Sequence, residues 1–140
     1  MSRTVSLCFD DGFLASAEKV DELFRARGLA ACFAVLAAPE LAQDAAIRAS
    51  PVADWPFWRD MAAAGHAVEP HGFAHEHLGK LPLVEAMQSV ERCLARWEAE
   101  IPGAQARSAV FHLPYLAAPV EIVTWLGRRA LGVRMAVRDG

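Results

Sequence analysis

At 140 residues the chain has the length of one ordinary domain, enough to bury about two-thirds of the surface its unfolded form exposes. A content of 54% hydrophobic and 22% charged residues excludes an intrinsically disordered chain, and a net charge of −3 without an extended cationic cluster excludes a nucleic-acid partner. The longest apolar run, residues 29–38, is about half a bilayer span, and acids interrupt the opening run too early for a signal peptide. The expectation is a soluble, unexported, cytoplasmic protein with no membrane partner.

In chain order, residues 4–9 are a short run rich in β-formers that stops at Asp10-Asp11-Gly12, as a buried strand stops at a turn. Ala17, Val20, Leu23 and Phe24 then recur at helical spacing, with Gly28 as the C-terminal stop. A second strand is predicted over residues 31–36, closed by Pro39, and the Ala-rich residues 40–50 show no clear face. Asp54 caps a helix with Pro56 in its first turn, running through Phe57, Trp58 and Met61 to Gly65. Residues 66–70 read as a third strand.

Leu83, Met87, Val90, Leu94 and Trp97 are spaced four, three, four and three, which marks the clearest helix of the chain, ended by Ile101-Pro102-Gly103. A fourth strand follows at 109–113, a fourth helix at 120–129 with Ile122, Trp125 and Leu126 inward, and a fifth strand at 133–137. The four tryptophans all fall in helical patterns and are assigned to packing. Cys8, Cys32 and Cys93 are odd in number, lack CxxC spacing and sit in apolar patterns, so buried free thiols are expected rather than disulfides or zinc ligands.

Continuous apolar strands alternating with amphipathic helices predict an α/β fold with a parallel sheet, doubly wound or barrel-like, which places function at the carboxyl ends of the strands. The polar candidates share that rim: Asp10-Asp11 after the first strand, His71 to His77 after the third, Pro114-Tyr115 after the fourth and Asp139 after the fifth. His71-Gly72-Phe73-Ala74-His75-Glu76-His77 holds three of the five histidines. His71 and His75, four apart, can turn two imidazoles toward one cation, and a carboxylate of Asp10-Asp11 would complete a three-ligand site open to water. Asp-Gly is also ordinary turn chemistry. His66 is assigned to a structural hydrogen bond.

Phe9-Asp10-Asp11-Gly12 resembles the first motif of the polysaccharide deacetylases, the nodulation-deacetylase homology family of carbohydrate esterase family 4. Gly65-His66-x-x-x-x-His71-x-x-x-His75 is similar to its second motif, and Phe111-His112-Leu113-Pro114-Tyr115 to its third. The resemblance implies a single domain over residues 1–140, folded as an incomplete or deformed β/α barrel of about five parallel strands with covering helices. It makes Asp10 the general base, Asp11, His71 and His75 the metal ligands, and Tyr115 an oxyanion donor through its backbone N–H. The implied reaction removes an acetyl or similar acyl group from an N-acylated sugar or related amide, by attack of water on a divalent metal. Zinc is the first expectation, with cobalt, nickel or manganese as alternatives.

Two departures accompany the resemblance. His112 stands where the family carries an arginine that orients the base aspartate, so His112 either takes over that contact with Asp10 as a histidinium or merely points out from the strand end. The family's late motifs, including its general-acid histidine, have no counterpart in the chain, which leaves His77 and His112 as candidates for the acid. The alternative function is a shortened, catalytically weak relative that keeps the metal site or groove for binding or assembly. Five strands would leave open sheet edges, which self-association can cover.

Overall fold

The computed structural model describes residues 4–136. Five short strands alternate with helices: β1 Cys8–Phe9, α1 Leu14–Arg25, β2 Cys32–Val35, α2 Ala45–Arg48, α3 Trp55–Ala63, β3 Ala67–Pro70, α4 Leu83–Glu100, β4 Val110–His112, α5 Val120–Leu126 and β5 Gly132–Arg134. All strand pairs are parallel, in two ladders, β1-β2-β3 and β4-β5. The molecule is an α/β fold of the open, incomplete β/α-barrel type, and the sheets do not close.

β2 lies between β1 and β3, and all four of its residues are buried, which is why its sequence is continuously apolar rather than alternating. No ladder crosses from β3 to β4. Side chains bridge that seam instead. The Glu69 carboxylate accepts from Val110 N–H at 3.0 Å, and His71 Nδ1 meets the His112 carbonyl at 2.9 Å.

Two apolar clusters hold the helices to the strands. Ala17 and Val20 of α1 and Trp58 and Met61 of α3 pack on Phe33 and Val68, with Trp97 of α4 donating its indole N–H to the Val68 carbonyl at 2.9 Å. Val90, Cys93 and Leu94 of α4 pack with Phe111, Leu113, Ile122 and Leu126 on the other side. Trp58 and Trp97 are core residues, whereas Trp55 and Trp125 are half-buried at its margins. Val90, Leu94 and Trp97 of the four-three spacing in α4 thus face inward as the sequence predicts, whereas Met87 is half-buried and Leu83 at the start is exposed.

Several boundaries differ. Only Cys8 and Phe9 of the first predicted strand find a ladder partner, and Val5 and Leu7 upstream are exposed. Residues 40–50, without a readable face, form a 3₁₀ turn at Pro39–Leu41 and the one-turn helix α2, whose N-cap Asp44 accepts from Ala46 N–H at 2.8 Å. The fourth helix ends at Leu126 rather than 129. Val137 and Asp139, placed at the end of the fifth strand by sequence, lie outside the described residues. No described helix is long and apolar enough to cross a membrane.

Candidate metal centre at the strand rim

The chain leaves β1 through a strained turn, in which Asp11 has φ 72° and Gly12 φ 80°. Left-handed backbone at a non-glycine residue costs of order 1–3 kcal/mol and persists where packing fixes it. Here a Cβ at Gly12 would lie 2.9 Å from the Trp58 ring, so the turn is pressed onto α3 and Asp11 is aimed back over the sheet. β3 ends similarly. His71 N–H donates to the Val35 carbonyl at 2.9 Å, Gly72 has φ 94°, and a Cβ there would meet Pro114 at 2.8 Å. Glu76 then pins the loop, accepting from Ala74 N–H at 2.9 Å and from the Ser89 hydroxyl at 3.0 Å.

These turns bring Asp11, His71 and His75 together. Asp11 Oδ1 is 3.1 Å from His71 Nε2 and 3.3 Å from His75 Nε2. The partners on the far side of each ring set its protonation pattern. His71 Nδ1 faces a carbonyl, which only accepts, so Nδ1 carries the proton and Nε2 a lone pair. His75 Nδ1 faces the Asp44 carboxylate at 3.1 Å, with the same consequence. With Nδ1 of each ring engaged elsewhere, two imidazole Nε2 atoms and a carboxylate oxygen converge on one point. Such a donor set fits a divalent cation, and nitrogen and oxygen ligands of this kind suit zinc, cobalt, nickel or manganese.

Asp44 was not legible as part of the site. Its carboxylate also accepts the Tyr115 hydroxyl at 2.5 Å, and this hydrogen bond pushes the Tyr115 phenol up to about 12. Tyr115 sits in a left-handed turn at φ 56°, ψ 13°, with its ring centroid 4.6 Å from that of His75. His77 stacks on the other flank of Tyr115 at 5.1 Å, and its buried Nδ1 has no hydrogen-bond partner among the described residues. Asp44, His75, His77 and Tyr115 line one cavity of about 460 Å³ with Phe73 and Arg92. Size does not single it out. A cavity of about 620 Å³ over α4 is larger but holds none of the converging donors.

Asp10 differs from its sequence expectation in the partner it finds. Its Oδ2 is held by the Arg134 guanidinium of β5, while Oδ1 is buried without a partner among the described residues. His112 does not reach it. No hydrogen bond or ion pair joins the two among the described residues, because the His112 ring turns toward Cys8 and Cys32, at 3.6 Å and 3.8 Å. The sequence signal for Arg134 was absent, since an arginine inside a short strand reads as an exposed edge residue. His66 makes the structural bonds expected of it, accepting from Ala31 N–H at 3.0 Å and pairing with Asp21 at 2.8 Å.

The fold and rim define an α/β protein of the open-barrel kind with a carboxylate and two imidazoles gathered at the strand ends. The profile of the polysaccharide deacetylase family matches residues 1–136, and the chain belongs to that family. No curated protein matches the sequence. Among solved structures it is similar in fold to the Streptococcus pyogenes deacetylase PplD in complex with acetate (12% identity, TM-score 0.75, covering 91% of this chain and 53% of that one). A family 4 carbohydrate esterase from Streptomyces lividans in complex with acetate aligns at 21% identity and TM-score 0.67, over 96% and 62% of the two chains. BA3943, a CE4 family pseudoenzyme from Bacillus anthracis, aligns at 15% identity and TM-score 0.73, over 96% and 43%. The chain thus spans about half the length of these structures.

Proposed function

We propose that the protein is a metal-dependent hydrolase that removes an acetyl or similar acyl group from an N-acylated sugar or related amide. The observation that carries this reading is the cradle of Asp11, His71 and His75, together with an aspartate, Asp10, whose Oδ1 has no hydrogen-bond partner among the described residues. A divalent cation bound there supplies Lewis acidity toward the amide carbonyl and toward water. Asp10 takes the proton from the attacking water at Oδ1, and Arg134 keeps the carboxylate oriented through Oδ2. Asp44 and the His112 carbonyl hold the two imidazoles in the tautomers that leave Nε2 free. The backbone N–H of Tyr115 is assigned to the developing oxyanion, and the faces of Tyr115 and His77 to one wall of the sugar groove.

Protonation of the departing amine falls to His77 in this reading, because its ring stacks on Tyr115 and lines the same cavity as His75 and Tyr115. Free thiols accord with a reducing compartment, and a cytoplasmic location is part of the same proposal. Acetate release from N-acetylglucosamine oligomers by the full chain loaded with one equivalent of zinc or cobalt tests the reading. Metal uptake that His75→Ala abolishes, together with acetate release, is expected. Failure to release acetate from any N-acetylated sugar would sink it.

A second reading is favoured by the pseudoenzyme among the structures of like fold: a relative that keeps the cation cradle and groove for binding without turnover. Stoichiometric metal and saturable oligosaccharide binding with no acetate release select it.

A further inference from the structure

Beneath the rim, three side chains that deacylation does not use meet inside the open barrel. Cys8 on β1 and Cys32 on β2 are register partners across parallel strands, and their sulfurs lie 2.9 Å apart. His112 on β4 points its ring at both, with Nδ1 3.6 Å from Cys8 Sγ and Nε2 3.8 Å from Cys32 Sγ. Cys32 and His112 are buried and Cys8 is half-buried, so the cluster is reached through Cys8. One ligand atom from each residue lies within 4.8 Å of the others.

We propose that Cys8, Cys32 and His112 form a second metal site, distinct from the rim cradle, that takes a thiophilic d¹⁰ cation of the zinc and cadmium class. Two thiolates and one imidazole match a tetrahedral zinc sphere with one position left open, and sulfur selects soft ions over those bound by carboxylates. The rim residues Asp11, His71 and His75 contribute no atom to it. The donors come from both ladders, β1-β2-β3 and β4-β5, which share no backbone hydrogen bond across the β3–β4 seam. A cation there staples the two halves of the open barrel.

The surroundings favour the thiolate at Cys8, whereas the Cys8 hydrogen bond and burial push the Cys32 thiol up, so a cation has to displace the Cys32 proton. The hydrogen bond from Cys32 holds the Cys8 thiol well below its ordinary range against the opposing effect of burial, and His112 and Arg134 act in the same direction. The thiolate is the metal-binding species. Zn–S bonds of about 2.3 Å require the sulfurs to stand farther apart than they do here, so rotation of the half-buried Cys8 accompanies binding. At neutral pH the Cys32 proton is released to solvent as its metal–sulfur bond forms, and Cys8 binds as the thiolate. The site does not depend on the deacetylase reading, although the two share His112, whose carbonyl orients His71.

Cadmium titration of the reduced full chain under anaerobic conditions, read by cadmium–thiolate charge-transfer absorption, tests the proposal. Expected is a band that saturates at one equivalent per chain, persists in Cys93→Ser and in His75→Ala, and disappears in Cys8→Ser and Cys32→Ser. Alkylation of Cys8 should be blocked by the same equivalent. Should buried Cys32→Ser fail to fold, Cys8→Ser at the half-buried position decides. A missing band at stoichiometric cadmium, a band that survives Cys8→Ser or vanishes in His75→Ala, or a Cys8–Cys32 disulfide that resists reductant would each overturn it. Absence of acetate release leaves this result untouched, so the two readings fail separately.

Discussion

Asp44 accepts from His75 Nδ1 and the Tyr115 hydroxyl with Oδ2, and from Ala46 N–H with Oδ1. One side chain thus caps α2, anchors the Tyr115 hydroxyl and fixes the tautomer of His75, the ring proposed as a metal ligand. Asp44→Asn keeps the cap but removes the negative acceptor, and metal affinity at the rim should fall about 10- to 100-fold, as competition with a chromophoric chelator would show. Unchanged affinity would reduce Asp44 to a helix cap. The cysteines give a second prediction at this scale. Burial pushes the Cys93 thiol up to about 12, whereas Cys8 is half-buried and held low. At neutral pH, where Cys93 stays protonated, alkylation of the metal-free native chain should label Cys8 well before Cys93, as peptide mapping would report. His71, His75 and Asp11 were legible as candidates because ligand chemistry restricts residue type. Asp44 and Arg134 were not, since their roles arise from contacts 31 and 124 residues away.

Elements with strong periodicity were read correctly, and those fixed by long-range contacts were not. The spacing of α4 and the unbroken apolar run of β2 follow from which faces are buried. The first strand was overextended because residues 4–7 have β-forming side chains but no ladder partner in the structure. The left-handed turns at Asp11, His75 and Tyr115 left no trace in sequence, since propensity there favours glycine. Gly72 falls at an unspecified position of the second motif, and its reason appears only in space: a Cβ at φ 94° would strike Pro114. Gly72→Ala should lower unfolding free energy by about 1–3 kcal/mol in urea titration and weaken metal binding, because the same turn carries His71 and leads to His75. Wild-type stability would show that the β3 loop has slack.

At the scale of the whole molecule, five parallel strands make an open barrel in which β1 and β5 keep a free ladder side among the described residues. Unpaired strand edges recruit partners. Sedimentation of the chain should show self-association that rises with concentration in the micromolar range, and a strictly monomeric chain at all concentrations would contradict edge pairing. The fold class was legible because alternating buried strands and amphipathic helices admit few arrangements. The division into two ladders was not, because the Glu69 and His71 bridges that replace backbone pairing at the seam are side-chain events.

In the proposed function the rim cradle and Asp10 act together as a deacylase. This is tested most directly by acetate release from an N-acetylglucosamine oligomer with wild type and Asp10→Asn at matched rim-metal content. Loss of the base should lower kcat about 10²- to 10⁴-fold while leaving metal stoichiometry unchanged. Equal turnover by the two proteins would contradict the account.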